Sequence, residues 1–289
     1  MRDVFIVNPT AGSGYALTVM EKLENILKSR GADYAVFRTE HPGHATELAR
    51  AAAAEKDVRA VISVGGDGTA FEVASGLAGT DMPLGVIPAG TGNDFVKAAG
   101  LPKDPLQALE AVLRHHPEAV DMGRLNDGSF LNVCGTGFDV TVLDNAESLK
   151  SRFKGLLPYF LGLLKAIAKY KPVHLKLRAD GVEEEGDYLI CSVANGQYIG
   201  GGIPICPAAD ITDGKLNLVT VKNVPRRRIP LYLPGLMLGK VLNFKITTHR
   251  QVQEVSFEGR GLRVNIDGEI VPMDRASFAI RPGVLQLLR

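Results

Sequence analysis

The chain has 289 residues, enough for two domains at about 100–200 residues each. Hydrophobic residues make up 45% and charged residues 22%, which excludes a disordered chain. The net charge of +1 excludes the strongly basic balance of a general nucleic-acid binder, so no nucleic-acid partner is expected.

In chain order, the first third alternates strand and helix patterns. Val4 to Val7 is an apolar run that ends at Asn8-Pro9. A helical face of Leu17, Met20, Leu23 and Leu27 follows, closed by Gly31 at the position past a helix end where glycine is favoured. Tyr34 to Phe37 reads as a strand, Ala45 to Ala54 as a helix and Ala60 to Val64 as a buried strand. After a further helix leading to Gly79, Leu84 to Ile87 reads as the next strand. Strands separated by helices imply a parallel sheet covered on both faces, an α/β domain.

From about Asp121 the pattern changes. Phe130–Val133, Val173–Arg178, Tyr188–Ala194, Leu216–Val221, Glu254–Phe257, Arg263–Ile266 and Phe278–Arg281 read as strands joined by turns. This predicts a second, mainly antiparallel β domain over residues 121–275, with one helical insert at about Leu149–Lys171. Cys134, Cys191 and Cys206 are odd in number and irregularly spaced, so they read as reduced packing residues rather than disulfides or zinc ligands. The N-terminal apolar run is too short for a secretory signal. No apolar stretch approaches the ~20 residues of a membrane-spanning helix. A cytoplasmic location is expected.

Three glycine-rich loops follow strands in the first domain, where open α/β sheets bind ligands. Asn8-Pro9-Thr10-Ala11-Gly12-Ser13-Gly14 leads into a helix, whose free N–H groups favour an anion. Gly65-Gly66-Asp67-Gly68-Thr69 leaves no side chains between backbone amides and a polyphosphate. Asp67 repels phosphate unless Mg²⁺ lies between them. Pro88-Ala89-Gly90-Thr91-Gly92-Asn93-Asp94-Phe95 is the third loop. Loops of this kind in successive strand–helix units converge on one crevice.

With these motifs the chain resembles the bacterial diacylglycerol kinase-like lipid kinases, relatives of sphingosine and ceramide kinases. The matching residues are Asn8-Pro9 with Ala11-Gly12, Thr39-Glu40-His41, Gly65 to Thr69, Gly90 to Phe95 and Asp267-Gly268-Glu269. They span nearly the whole chain in the family's order. The Gly65–Thr69 motif alone is shared with NAD kinases; the combination is much more specific. The resemblance implies an α/β nucleotide-binding domain over 1–120, a β-sandwich-like substrate domain, and an active site between them. It also implies that residues 276–289 return to the first domain.

What the resemblance implies for the site is an ATP- and Mg²⁺-dependent transfer of phosphate to a lipid hydroxyl. The nucleotide set is Asn8, Pro9, Thr10, Ala11, Gly12, Thr39, Gly65, Gly66, Asp67, Gly68, Thr69, Ala70, Phe71 and Thr91. Phe71 stands where many members carry Asn. The motif Asp267-Gly268-Glu269 supplies the catalytic base in the family, with Glu269 at the position usually assigned and Asp267 its rival. Read from the residues alone, the same three could simply be a hairpin turn. Asp121 matches an acidic position that helps organise magnesium. Asp210, Asp213 and the carbonyl of Lys215 match the family's structural Mg²⁺ loop.

The near-zero charge conceals a separation. Lys150 to Arg178 carries eight Lys or Arg and no acid, and Lys222 to Arg250 carries seven and no acid. Both hold apolar runs, Leu156 to Leu161 and Ile229 to Leu233, a combination suited to peripheral docking on an anionic membrane. The partner expected is therefore a lipid at a membrane surface, and the sequence leaves room for a homodimer. Two other readings are a NAD kinase-like enzyme acting on a soluble hydroxyl and a catalytically silent nucleotide- or lipid-binding regulator. Intact Asp67, Asp267 and Glu269 argue against the second.

Overall fold

A computed structural model describes the backbone of residues 1–150 and 157–289, and the side chains outside 146–160. The chain divides into two compact units, Met1–Met122 with Ile211–Gly214 and Arg281–Arg289, and Gly123–Asp210 with Lys215–Ile280.

The first unit begins with β1 (Arg2–Val7), α1 (Tyr15–Ser29), β2 (Tyr34–Arg38), α2 (His44–Ala53), β3 (Val58–Gly65), α3 (Asp67–Leu77) and β4 (Pro83–Pro88). It continues through α4 (Asp94–Ala98) and α5 (Pro105–Arg114) into β5 (Pro117–Leu125). Val4 to Val7 are fully buried, because α-helices cover both faces of a parallel sheet. Helix α1 buries Ala16, Val19, Met20, Leu23 and Leu27, spaced three and four residues apart, and Gly31 beyond its end has φ 63°. Strand β1 pairs in parallel with β2 on one side and with β3 on the other, and β3 pairs in parallel with β4. The chain thus leaves β1 in one direction for β2 and returns across it to β3. The carboxyl ends of β1 and β3 form the topological switch point, where open α/β sheets take ligands.

The second unit contains β6 (Gly128–Phe130), β7 (Val133–Gly137), α6 (Phe138–Lys150), α7 (Leu157–Lys169), β8 (Val173–Ala179) and β9 (Val182–Ala194). After the short pair β10 (Tyr198–Ile199) and β11 (Ile203–Pro204) come β12 (Leu216–Lys222), α8 (Ile229–Met237) and β13 (Thr247–Val252). The last strands are β14 (Glu254–Glu258), β15 (Arg263–Ile266), β16 (Glu269–Pro272) and β17 (Arg275–Leu288). All pairings within this unit are antiparallel, including β7, β8 and β12 on β9 and the hairpin β15–β16. One apolar core contains Phe130, Leu175, Val193, Leu218, Phe257 and Phe278. A second, with Val133, Phe138, Ile190, Val219 and Ile229, gathers residues of α6, α7 and α8. This is the β-sandwich-like domain that the sequence predicts.

Three local features differ from the sequence reading. The expected strand Phe130–Val133 is broken at Leu131 and Asn132, because those amides are taken by a side chain. Ile229–Met237 is a helix with Pro230 in its first turn, where proline costs nothing. Ile211–Gly214 belongs with the first unit because Asp121 binds it there. Residues 151–156 of the predicted helical insert lie outside the described residues, as do the side chains of Leu156 to Phe160 in its apolar run. All three cysteines are buried and free, as their spacing predicts.

Candidate active site

The three glycine loops leave the carboxyl ends of β1, β3 and β4, and meet backbone against backbone. Gly12 has φ 59°, and a Cβ there would lie 2.3 Å from the Ala89 carbonyl oxygen. A Cβ on Gly90 would lie 2.4 Å from Gly66 Cα. Side chains at these positions would force the loops apart. Glycine instead leaves the backbone of the loops bare of side chains, as the close approach of phosphate oxygens requires. Asn8 stiffens the first loop, its Oδ1 accepting from Thr10 N at 3.0 Å and Thr10 Oγ1 at 2.9 Å. Gly65 acts inside its own loop. A Cβ there would strike Thr69 Oγ1 at 2.4 Å, so the glycine admits the buried Thr69 of α3.

Asp67 begins α3 and ties the second loop to the third. Its Oδ1 accepts from Phe95 N at 3.0 Å. Burial pushes its carboxyl above the usual range, opposed mainly by the Phe95 N–H, while the neighbouring Asp94 charge raises it further. Asp94, whose role the sequence reading left unassigned, is buried and pairs with Lys97 Nζ at 3.1 Å. Two neighbouring carboxylates, one half-buried and one buried, are oxygen donors of the kind a hard divalent cation takes. The residues therefore fit ATP with Mg²⁺.

Thr39 sits just past β2, its N–H bonded to Val7 O at 2.9 Å, close to the end of β1. Thr91 is exposed between Gly90 and Gly92, while Phe71 is half-buried on α3 and Ala70 is buried there. Glu72, beside Phe71, accepts from Ala45 N at 3.1 Å and so caps the first turn of α2. A groove of about 560 Å³, lined by Val7, Leu17, Val36, Arg38, Glu40 and His44 among others, adjoins the first loop.

Asp267 and Glu269, paired in the sequence reading, have different environments. The hairpin β15–β16 turns at Asp267 (φ 48°) and Gly268 (φ 107°), the left-handed pair that Asp-Gly supports. Asp267 Oδ2 accepts from Leu131 N at 2.6 Å, and Oδ1 accepts from Asn132 N and Val133 N at 2.9 Å each. That carboxylate breaks the strand before β7 and fastens the hairpin to it. Glu269 is exposed at the start of β16.

Asp121 is buried, with Oδ1 accepting from Gly283 N at 2.8 Å and Oδ2 from Gly214 N at 2.7 Å. It holds the loop that carries Asp213, while Asp210 and Lys215 are exposed. Lys215 Nζ donates to Gln251 Oε1 at 3.1 Å. Among the described residues, the group of three clustered metal-ligating side chains is His41, His44 and Glu47, not these acids. A cation at the 210–215 loop would need main-chain carbonyl oxygens as well.

Comparison with known proteins decides the family. The model of the diacylglycerol kinase catalytic domain matches residues 2–125, and that of the YegS C-terminal NAD kinase beta sandwich-like domain matches 132–289. The chain belongs to the diacylglycerol kinase and YegS-like lipid kinase family. It is 33% identical to the diacylglycerol kinase of Mycobacterium tuberculosis, over 98% of this chain and 94% of that one. It is also 33% identical to the "Probable lipid kinase YegS-like" of Pseudomonas fluorescens, over 90% and 87%. A solved structure of a diacylglycerol kinase from Bacillus anthracis matches with TM-score 0.80 and 28% identity, covering 99% of this chain and 96% of that one. Within this family of lipid kinases, the glycine loops and the Asp267–Glu269 hairpin fall in the catalytic and β-sandwich-like regions respectively.

Proposed function

We propose that this protein is an ATP- and Mg²⁺-dependent kinase that transfers the γ-phosphoryl group to a hydroxyl of diacylglycerol or a similar lipid. The observation that carries this reading is the backbone contact of Gly12 with Ala89 and of Gly66 with Gly90, with Asp67 between the loops. Main-chain N–H groups of those loops hold the phosphates, and Asp67 with Asp94 holds the cation. When bound, Mg²⁺ supplies neutralisation of the charge that develops on the phosphate oxygens. Glu269 accepts the proton of the lipid hydroxyl as its oxygen attacks phosphorus, and the β–γ bridging oxygen leaves on ADP. Asp267 shapes the turn that presents Glu269.

The test is incubation with γ-labelled ATP, Mg²⁺ and a panel of diacylglycerol, other hydroxyl-bearing lipids and NAD. Label entering a lipid supports the reading. Label entering NAD alone makes the enzyme a soluble-substrate kinase, and no transfer at all leaves a silent binder.

The substrate lies in a bilayer, and among the described residues no helix is long and apolar enough to cross one. Contact is therefore proposed at the cytoplasmic face of the membrane. Arg226 to Arg228 are exposed immediately before α8, which exposes Leu231 and Met237, with Leu238 exposed just past its end, while Ile229, Tyr232, Leu233 and Leu236 line an apolar cavity beneath it. Basic residues beside outward apolar ones suit anionic headgroups. Sedimentation with anionic vesicles is expected to fall as salt rises, since screening acts over about 8–10 Å at physiological ionic strength. Changing Arg226, Arg227 and Arg228 to Gln should weaken it further. Equal binding to neutral and anionic vesicles at every salt concentration would rule out this electrostatic docking.

A further inference from the structure

The β-sandwich-like unit hides a polar row where its sheet meets α6. Asn265 of β15 lies opposite Gly135 of β7, and Gly135 opposite Ser192 of β9. Asp139, in the first turn of α6, reaches over this row. A Cβ on Gly135 would lie 2.9 Å from Asp139 Oδ2 and 3.0 Å from Ser192 Oγ. A strand thus carries a glycine in its interior, at some cost to its own stability, and the space admits a carboxylate.

That carboxylate is a poor choice for stability. Burial pushes the Asp139 carboxyl above the usual range, partly offset by its bond to Asn265. The N–H groups of Asp139 and Val140 favour its charge weakly, but its Oδ1 makes no well-formed hydrogen bond, and a buried polar atom left so is destabilising. Its Oδ2 accepts from Asn265 Nδ2 at 3.3 Å, and Asn265 Oδ1 accepts from Gly268 N at 2.9 Å. Gly268 is the centre of the turn that presents Glu269. The two ends of an amide differ only in what they can bind. Without an acceptor on the far side, the Asn265 amide is held on one side alone and can swing away from the Gly268 N–H.

We propose that Asp139 is a positioning residue: by fixing the Asn265 amide it holds the Gly268 turn, and so Glu269, in the geometry for proton transfer. The inference rests on the lipid-kinase reading for its catalytic consequence, but not for the turn itself. A displacement of about 1 Å in a reacting group can cost about 10²-fold in rate, so the support of this turn is consequential.

Four variants test it: Asp139→Ala, Asp139→Asn, Asn265→Asp and the exchange Asp139→Asn with Asn265→Asp. The alanine variant removes the acceptor, and Asn265→Asp sets two carboxyls together. The Asp139→Asn carbonyl still accepts from Asn265, and the exchange restores a donor–acceptor pair with Gly268 N still bonded. Expected are a fall in kcat of about tenfold or more for Asp139→Ala and Asn265→Asp, beyond any fall in the folded fraction, with KM for ATP little changed. Asp139→Asn and the exchange should recover most of the activity. Amide hydrogen exchange at Gly268, read without substrate, should quicken in the two impaired variants and return to normal in the exchange.

If the wild type phosphorylates no lipid, the functional reading fails while Gly268 exchange still decides the positioning role. If Asp139→Ala does not fold, Asn265→Asp and the exchange decide it. Unchanged Gly268 protection in Asp139→Ala and Asn265→Asp, or no recovery in the exchange, overturns the proposal. So does a loss of kcat that merely follows the folded fraction.

Discussion

Asp67→Asn is expected to lower phosphoryl transfer by about 10²-fold or more, the scale on which removal of one preorganised electrostatic group acts, while the unfolding midpoint stays close to wild type. The substitution is chosen for what it leaves in place. The amide oxygen of the new side chain can still accept from the Phe95 N–H, which Asp67 binds at 3.0 Å, so the second and third loops stay joined. Only the charge is lost. With Asp94 as its remaining carboxylate neighbour, the site should need more Mg²⁺ to reach its reduced maximum. Alanine would be a less clean probe, because it also leaves a buried N–H without an acceptor. Kinetics across a Mg²⁺ titration, alongside thermal unfolding, give the measurement. A variant that keeps near-wild-type activity at limiting Mg²⁺ would remove Asp67 from the metal site.

The glycine-loop part of the candidate site was legible in the sequence because its signal is local. Apolar runs ending in Gly65-Gly66-Asp67-Gly68-Thr69 or in Gly90-Thr91-Gly92 encode both the strand and the bare backbone that follows it. What could not be read depends on partners distant in the chain. The break at Leu131 and Asn132 is made by the Asp267 carboxylate, more than a hundred residues later. Strand propensity at Phe130–Val133 gives no hint of it. Asp121 draws in Ile211–Gly214 in the same non-local way, through the Gly214 N–H. Asp139 has an ordinary place in a helical first turn, and only the register of Asn265 with Gly135 reveals its surroundings. Helix α8 went unread because its prolines and glycine, Pro230, Pro234 and Gly235, argue locally against a helix, whereas Ile229, Tyr232 and Leu236 pack into an apolar core and override that preference.

Asp267 and Glu269 should separate cleanly under mutation, because one carboxylate is engaged by the fold and the other is not. Glu269→Gln keeps size and polarity at an exposed position, so its unfolding midpoint should match wild type. Loss of a positioned general base typically costs about 10²–10⁴-fold, and kcat should fall on that scale while KM for ATP is little changed. Asp267→Ala should act on the fold. It deprives the N–H groups of Leu131, Asn132 and Val133 of their acceptor, and unpaired groups of this kind cost about 1–3 kcal/mol each, so a loss of about 3 kcal/mol or more of stability is expected. Asp267→Asn, which keeps one acceptor oxygen, should fall between. Denaturant unfolding and steady-state kinetics on the same preparations distinguish the two roles. An Asp267→Asn protein of wild-type stability with kcat reduced as far as in Glu269→Gln would reverse the assignment and make Asp267 the base. If Glu269→Gln keeps full activity and Asp267→Ala is merely unstable, the hairpin is a structural clasp, and the proton of the lipid hydroxyl must go to another acceptor.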